Sequence, residues 1–221
     1  MTGLCAPSLE PLSDQAVLAA FEDEASAFAF ASAVRASNEA WLIDVVQAYA
    51  TVAVFFDADR VLYSEAAAVL GALRVTADTA SGRLHRIPCC YALNLDFDRI
   101  AGATGLSADD VIRLHSSVDY TVYAIGFCPG FPYLGYLPSQ LSGVPRLTAP
   151  RLRVEAGSVG LTGRQTGIYT EVRPGGWNIV GRTPLQLVDV ASGYFPIRTG
   201  DRVRFVAIDE QEFHRLSGQR L

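Results

Sequence analysis

GFCPGFPYLGYLP, residues 126–138, sets three Gly, three Pro and four aromatic rings (Phe127, Phe131, Tyr133, Tyr136) side by side, a mixture that neither a helix nor a central strand selects. Pro fixes φ and Gly opens positive φ, so the stretch reads as a shaped loop with a preset path. Its rings offer rigid contact area at little entropic cost. Taken alone, it suits a rigid turn plugging a core as well as it suits a binding loop.

Downstream of this loop the chain keeps one cadence. Short apolar runs at 121–125, 158–161, 178–180, 185–188 and 203–208 are separated by Gly and Pro, which predicts a closed or nearly closed β-barrel. Upstream the pattern differs. A strand at 16–21, a helix at 24–36, a hairpin of 41–47 with 51–56, a helix at 64–75 and a strand at 84–91 follow one another. That order is the split βαβ pattern of a ferredoxin-like domain. Two short helices, 96–103 and 108–116, lie between, the second capped by Ser107. The fold class expected is therefore α+β, with a ferredoxin-like domain over residues 1–90 and a β-barrel domain over 91–221.

The chain has 221 residues, half of them apolar, and a net charge of −5, enough to bury a sizeable core. The acidic balance makes nucleic acid a poor partner. No basic-then-apolar leader and no long apolar run is visible, so a cytoplasmic location without a membrane span is expected. Cys5, Cys89, Cys90 and Cys128 form no CxxC pair, and neither a metal site nor a disulfide is expected. All 18 basic residues are arginine. Without lysine the chain can form no Schiff base, carry no Walker A lysine and bear no biotin. Residues 1–90 hold 5 Arg against 11 acids, whereas 146–204 hold 9 Arg against 4 acids. An arginine excess there suits a small anionic substrate.

Of the three histidines, His85 starts a strand, His214 falls in what reads as a frayed C-terminus, and His115 closes a capped helix. No activated Ser–His or Cys–His pair can be read from spacing. Ser158 is not in a GxSxG elbow. Gln165, Thr166 and Tyr169 are neutral hydrogen-bonding groups, and the amides of Gly175 and Gly176 are open to an anion. The catalytic group is left unassigned.

Six short motifs then recur in a known order: GFCPGFPYL at 126–134, Pro145 with Arg146, AGSVG at 156–160, QTGIY at 165–169, PGGW at 174–177 and GRTP at 181–184. In these the chain resembles the family of allophanate hydrolase subunit 1 and the B-type subunit of 5-oxoprolinase, which also includes the inhibitor of a sporulation histidine kinase. The likeness spans at least residues 85–208. It implies a cyclophilin-like barrel as the second domain. It also implies a pocket on that barrel, formed by His115, Phe131, Tyr133, Arg146, Arg151, Ser158, Gln165, Thr166, Tyr169, Gly175, Gly176, Trp177 and Arg182. Glu155 stands where the family has Pro, and Thr170 where Pro follows IY.

Three functions follow from the resemblance. The first is a non-autonomous subunit of an ATP-dependent 5-oxoprolinase, hydrolysing the lactam of 5-oxoproline to glutamate, with ATP shared with a partner. The partners implied are a second carboxyltransferase-like subunit, of the C type in 5-oxoprolinase or the allophanate hydrolase subunit 2 type, and a lactam-hydrolase subunit. The alternatives are a carboxyltransferase-like subunit of a biotin-dependent urea or amide carboxylase, and an inhibitor of a sensor histidine kinase.

Overall fold

The computed structural model describes residues 7–75 and 82–221; Cys5 lies outside them. The chain divides into two compact units between Ser81 and Gly82.

The first unit runs β1 (Ser8–Ser13), β2 (Ala16–Ala20), α1 (Glu24–Ala36), β3 (Leu42–Ala48), β4 (Thr51–Phe56) and α2 (Tyr63–Ala72). Its strands pair antiparallel in the order β1-β2-β4-β3. Alternation decides which face is buried. Val17 and Ala19 on β2, Val52 and Val54 on β4 and Val45 on β3 pack with Phe30 and Val34 of α1 and Leu70 of α2, the period-2 and period-3.6 patterns meeting in one core. Asp23 caps α1, its carboxylate accepting the Ser26 amide at 2.7 Å. Helix α2 starts at Tyr63, one residue before the expected 64, with Glu65 accepting the Leu62 amide at 3.0 Å, and it stops at Ala72 rather than 75.

The second unit contains β5 (Leu84–Cys90), α3 (Phe97–Thr104), α4 (Ala108–Ser116), β6 (Tyr120–Ile125), β7 (Pro132–Gly135), β8 (Arg151–Val154), β9 (Ser158–Thr162), β10 (Gln165–Ile168), β11 (Arg173–Gly175), β12 (Asn178–Arg182), β13 (Arg202–Ile208) and α5 (Glu210–Leu216). Seven strands in the order β6-β13-β5-β12-β9-β10-β7, with β7 also paired to β6, close into a barrel. Strands β8 and β11 form a separate two-stranded sheet. Ile87, Val122, Leu134, Val159, Leu161, Ile168, Val180, Val203 and Phe205 fill the interior, joined by Ile100 of α3 and Val111 of α4.

Several expectations are corrected here. The boundary near residue 90 moves upstream, because β5 belongs to the second unit, paired in parallel with β13 from Leu84↔Arg202 to Cys90↔Ile208. Alternating burial announces a strand but not its partner. In the first sheet the edge beside β2, where a fourth ferredoxin strand would lie, is held by β1. The 126–138 stretch is not loop throughout: Pro132–Gly135 is an interior strand between β6 and β10. Pro is tolerated there because it stands at the strand's first residue. The run 185–188 forms no strand; Gln186 N–H donates to Gln219 O at 2.8 Å and Gly218 N–H to Pro184 O at 3.0 Å. Finally, His214 lies in α5, whose first turn is capped by Asp209 accepting the Glu212 amide at 2.8 Å.

Candidate functional site

The outer face of the barrel carries the motif residues, and two glycines explain how. Gly160 of β9 and Gly167 of β10 are directly opposed partners. A Cβ at Gly167 would stand 2.9 Å from the Phe131 ring, and one at Gly160 would stand 3.1 Å from Trp177 Cβ. Removing both side chains leaves a flat patch on which Phe131 and Trp177 rest, 5.5 Å apart and edge to face. Tyr133 and Tyr169 complete the cluster, their rings 4.9 Å and 5.3 Å from Phe131. Gly175 meets the Tyr169 hydroxyl so closely that no Cβ fits between them. The PGGW glycine therefore makes room for a phenol.

Phe127 stands at the cluster's rim, 60% exposed, its ring centre 5.4 Å from that of Phe131 in an edge-to-face arrangement. It holds φ at 65°, and the Cys128 amide donates back to Gly126 O at 2.7 Å. This is the γ-turn of positive φ, a strained shape for a non-glycine residue that projects the ring outward. The loop is latched by Thr170, whose hydroxyl donates to Pro129 O at 2.7 Å.

Electrostatics separate the arginines. Arg151 is tied to buried Asp96, Nη2 to Oδ1 at 2.6 Å. Arg153 pairs with Glu155 at 2.6 Å and Arg173 with Glu171 at 2.6 Å, so Glu155 faces a neighbouring arginine. Arg182 donates its Nε–H to Ala156 O at 2.8 Å. Arg146, exposed on the loop before β8, makes no ion pair among the described residues. Burial raises the pKa of both Tyr133 and Tyr169, and the positive charge of Arg146 works against that rise in each. Both phenols keep their protons at neutral pH. The Trp177 backbone amide near the Tyr169 oxygen also works against the rise.

The cluster thus brings together Phe131, Tyr133, Arg146, Tyr169, Gly175 and Trp177. Gly176 lies beside them with its carbonyl accepting the Leu147 amide at 2.8 Å. Gln165 shares the outer face, two residues before Gly167 on β10. Ser158 lies opposite Arg182 in the β9–β12 register, toward the Ala156 turn. His115 and Thr166 face the barrel interior instead. Thr166 donates to Gly160 O at 2.9 Å, so its oxygen accepts from His115 Nε2–H at 2.9 Å, and His115 Nδ1 accepts from Tyr91 at 2.8 Å. The imidazole stacks on Phe205 at 4.5 Å and burial lowers its pKa to about 3. It is a neutral core group.

Asp96 was not among the expected site residues. An Asp before a helix reads as an N-cap, but this carboxylate turns away from α3 and accepts both Arg151 and the Ile179 amide, the latter at 2.6 Å. Among the described residues no group of three His, Cys, Asp or Glu could hold a metal ion, and no helix is long and apolar enough to cross a membrane.

With this geometry in view, the family described as carboxyltransferase domain, subdomain C and D, matches residues 7–194. The chain belongs to the carboxyltransferase domain family. Among its relatives, the B-type subunit of 5-oxoprolinase from Escherichia coli O157:H7 is 50% identical over 127 residues, 56% of this chain and 58% of that protein. Its namesake in Bacillus subtilis is 41% identical over 135 residues, 60% of this chain and 56% of that one. The chain thus spans little more than half the length of these carboxyltransferase-domain relatives. The solved structure of TTHA0988 superposes with a TM-score of 0.78 at 33% identity, over 88% of this chain and 40% of that one.

Proposed function

We propose that this chain is a subunit of an ATP-dependent 5-oxoprolinase, opening the lactam of 5-oxoproline to glutamate in company with partner subunits. The observation that carries the reading is Arg146, a guanidinium without a carboxylate partner among the described residues, set beside two protonated phenols on an aromatic wall. A small cyclic carboxylate asks for these groups. Its carboxylate meets the planar fork of Arg146, its ring lies against Phe131 and Trp177, and Tyr133 and Tyr169 donate to its oxygens. The names of the two curated relatives support the same reading.

The division of labour follows from what the site offers. His115 is enclosed in the barrel, and His85 is held by Asp201 at 2.9 Å, so neither serves as a base at the aromatic cluster. The attacking group and most of the ATP site then come from partners, a second carboxyltransferase-like subunit and a lactam-hydrolase subunit. ATP supplies the driving force for opening an unstrained lactam. The first unit, with β2-β4-β3 carrying α1 and α2, is a variant of the ferredoxin-like arrangement with β1 in the place of the fourth strand. A cytoplasmic location fits the free thiols of Cys89, Cys90 and Cys128.

The test is ATP-dependent formation of glutamate from 5-oxoproline by the chain alone, by its partners alone and by the mixture. Activity confined to the mixture supports the proposal. Equal activity of the partners with and without this chain overturns it.

A further inference from the structure

Arg146 sits on a loop whose backbone is held from three directions. Pro145 O accepts Asn178 Nδ2 at 2.9 Å, Arg146 O accepts Arg99 Nη2 at 3.1 Å, and the Leu147 amide donates to Gly176 O at 2.8 Å. The first two holds are one device, because Arg99 Nε–H also donates to Asn178 Oδ1 at 2.9 Å. Asn178 is fully buried, and its amide donates in addition to Leu161 O at 3.1 Å. Its oxygen and nitrogen are therefore each assigned by their partners, and the side chain has one orientation.

We propose that Arg99 is a positioning residue for Arg146: with Asn178 it forms a clamp that fixes the backbone from which the ligand-binding guanidinium extends. The inference rests on the reading of Arg146 as a carboxylate-binding group. A guanidinium presents Nε–H and Nη–H at a set angle, so a single side chain ties the Asn178 amide to the Arg146 carbonyl in a defined geometry. An ammonium on a flexible stem reaches either acceptor but does not set the angle between them. Arg99 is exposed on α3 and contributes no core volume, whereas Ile100 beside it is fully buried. Loss of the Arg99 side chain thus frees the loop without emptying the core.

The competing account is that Arg99 only fastens α3 to the barrel. A double-mutant cycle separates the two. 5-Oxoproline is titrated calorimetrically into the full chain as wild type, Arg99→Ala, Arg146→Ala and the double variant, each checked by thermal melting. Arg99→Ala is expected to weaken binding about tenfold, within the range of coupling between neighbouring groups, and to have no further effect once Arg146 is gone. Arg99→Lys is expected not to restore affinity. If Arg99→Ala costs the same factor in both backgrounds, or nothing in either while Arg146→Ala is impaired, the positioning role is overturned and the site reading stands. If Arg146→Ala binds as the wild type does, or the wild type does not bind, both fall together.

Discussion

Protonation of His115 supplies a test of the barrel interior that needs no ligand. In the native chain its ring is fully buried, accepts from Tyr91 and donates to Thr166, and its pKa falls from 6.5 to about 3 because burial disfavours the charged form. Below pH 6.5 the unfolded chain takes up a proton at this residue and the native chain does not. Stability is therefore complete above the unfolded value and is lost as pH falls toward 3. At ~1.4 kcal/mol per unit the loss between pH 8 and pH 5 is about 2 kcal/mol. Carboxylates that hold arginines add their own acid dependence, so the informative quantity is the difference between wild type and His115→Gln. Urea unfolding at intervals from pH 8 to pH 5 should give a gap that narrows by about 2 kcal/mol as pH falls, since Gln has no proton to bind. A gap of constant size across that range refutes the neutral, enclosed imidazole.

Further outcomes follow from the outer face and its supports. Gly167→Ala is expected to destabilise by about 2 kcal/mol, as overpacking does, and Gly160→Ala by less, because the first Cβ meets a carbonyl oxygen and ring atoms at 2.8–3.0 Å and the second comes no closer than 3.1 Å to Trp177 Cβ and 3.4 Å to Ile179; melting curves and near-ultraviolet dichroism report both. Asp96→Asn should cost about 3 kcal/mol in chemical unfolding, the scale for removing one member of a largely buried ion pair. Thr170→Val should cost about 1 kcal/mol or less by the same measurement, the worth of one partly exposed hydrogen bond to Pro129.

Local pattern made most of the elements legible. Helix α1 and strand β4 fall where the local residue pattern places them, at Glu24–Ala36 and Thr51–Phe56, because each is decided by its own residues. Pairing was less legible. The 84–90 segment alternates in the same way whichever sheet it joins, so its transfer to the barrel depends on β13, more than a hundred residues away. Short strands such as Pro132–Gly135 and Arg173–Gly175 carry too few residues to show a period. At the site, the motifs marked the aromatic cluster and Arg146, but they could not say which side of a strand faces inward. Thr166 and Gly167 are adjacent in one motif and lie on opposite faces of β10. Asp96, Arg99 and Asn178 escaped because their roles are contacts across 79 or more residues of chain for Arg99 and Asp96 with β12, which no local spacing encodes.

The most direct measurement is the 5-oxoproline dependence of ATP-driven glutamate formation by the mixture of this chain with the proposed partner subunits, comparing wild type with Arg146→Ala. Arg146 is exposed, so the variant should melt and assemble as the wild type does. The account predicts a KM for 5-oxoproline raised at least about tenfold, the scale of a lost charge-assisted hydrogen bond. An unchanged KM and kcat in a correctly assembled mixture would contradict the assignment of this cluster as the substrate's carboxylate site.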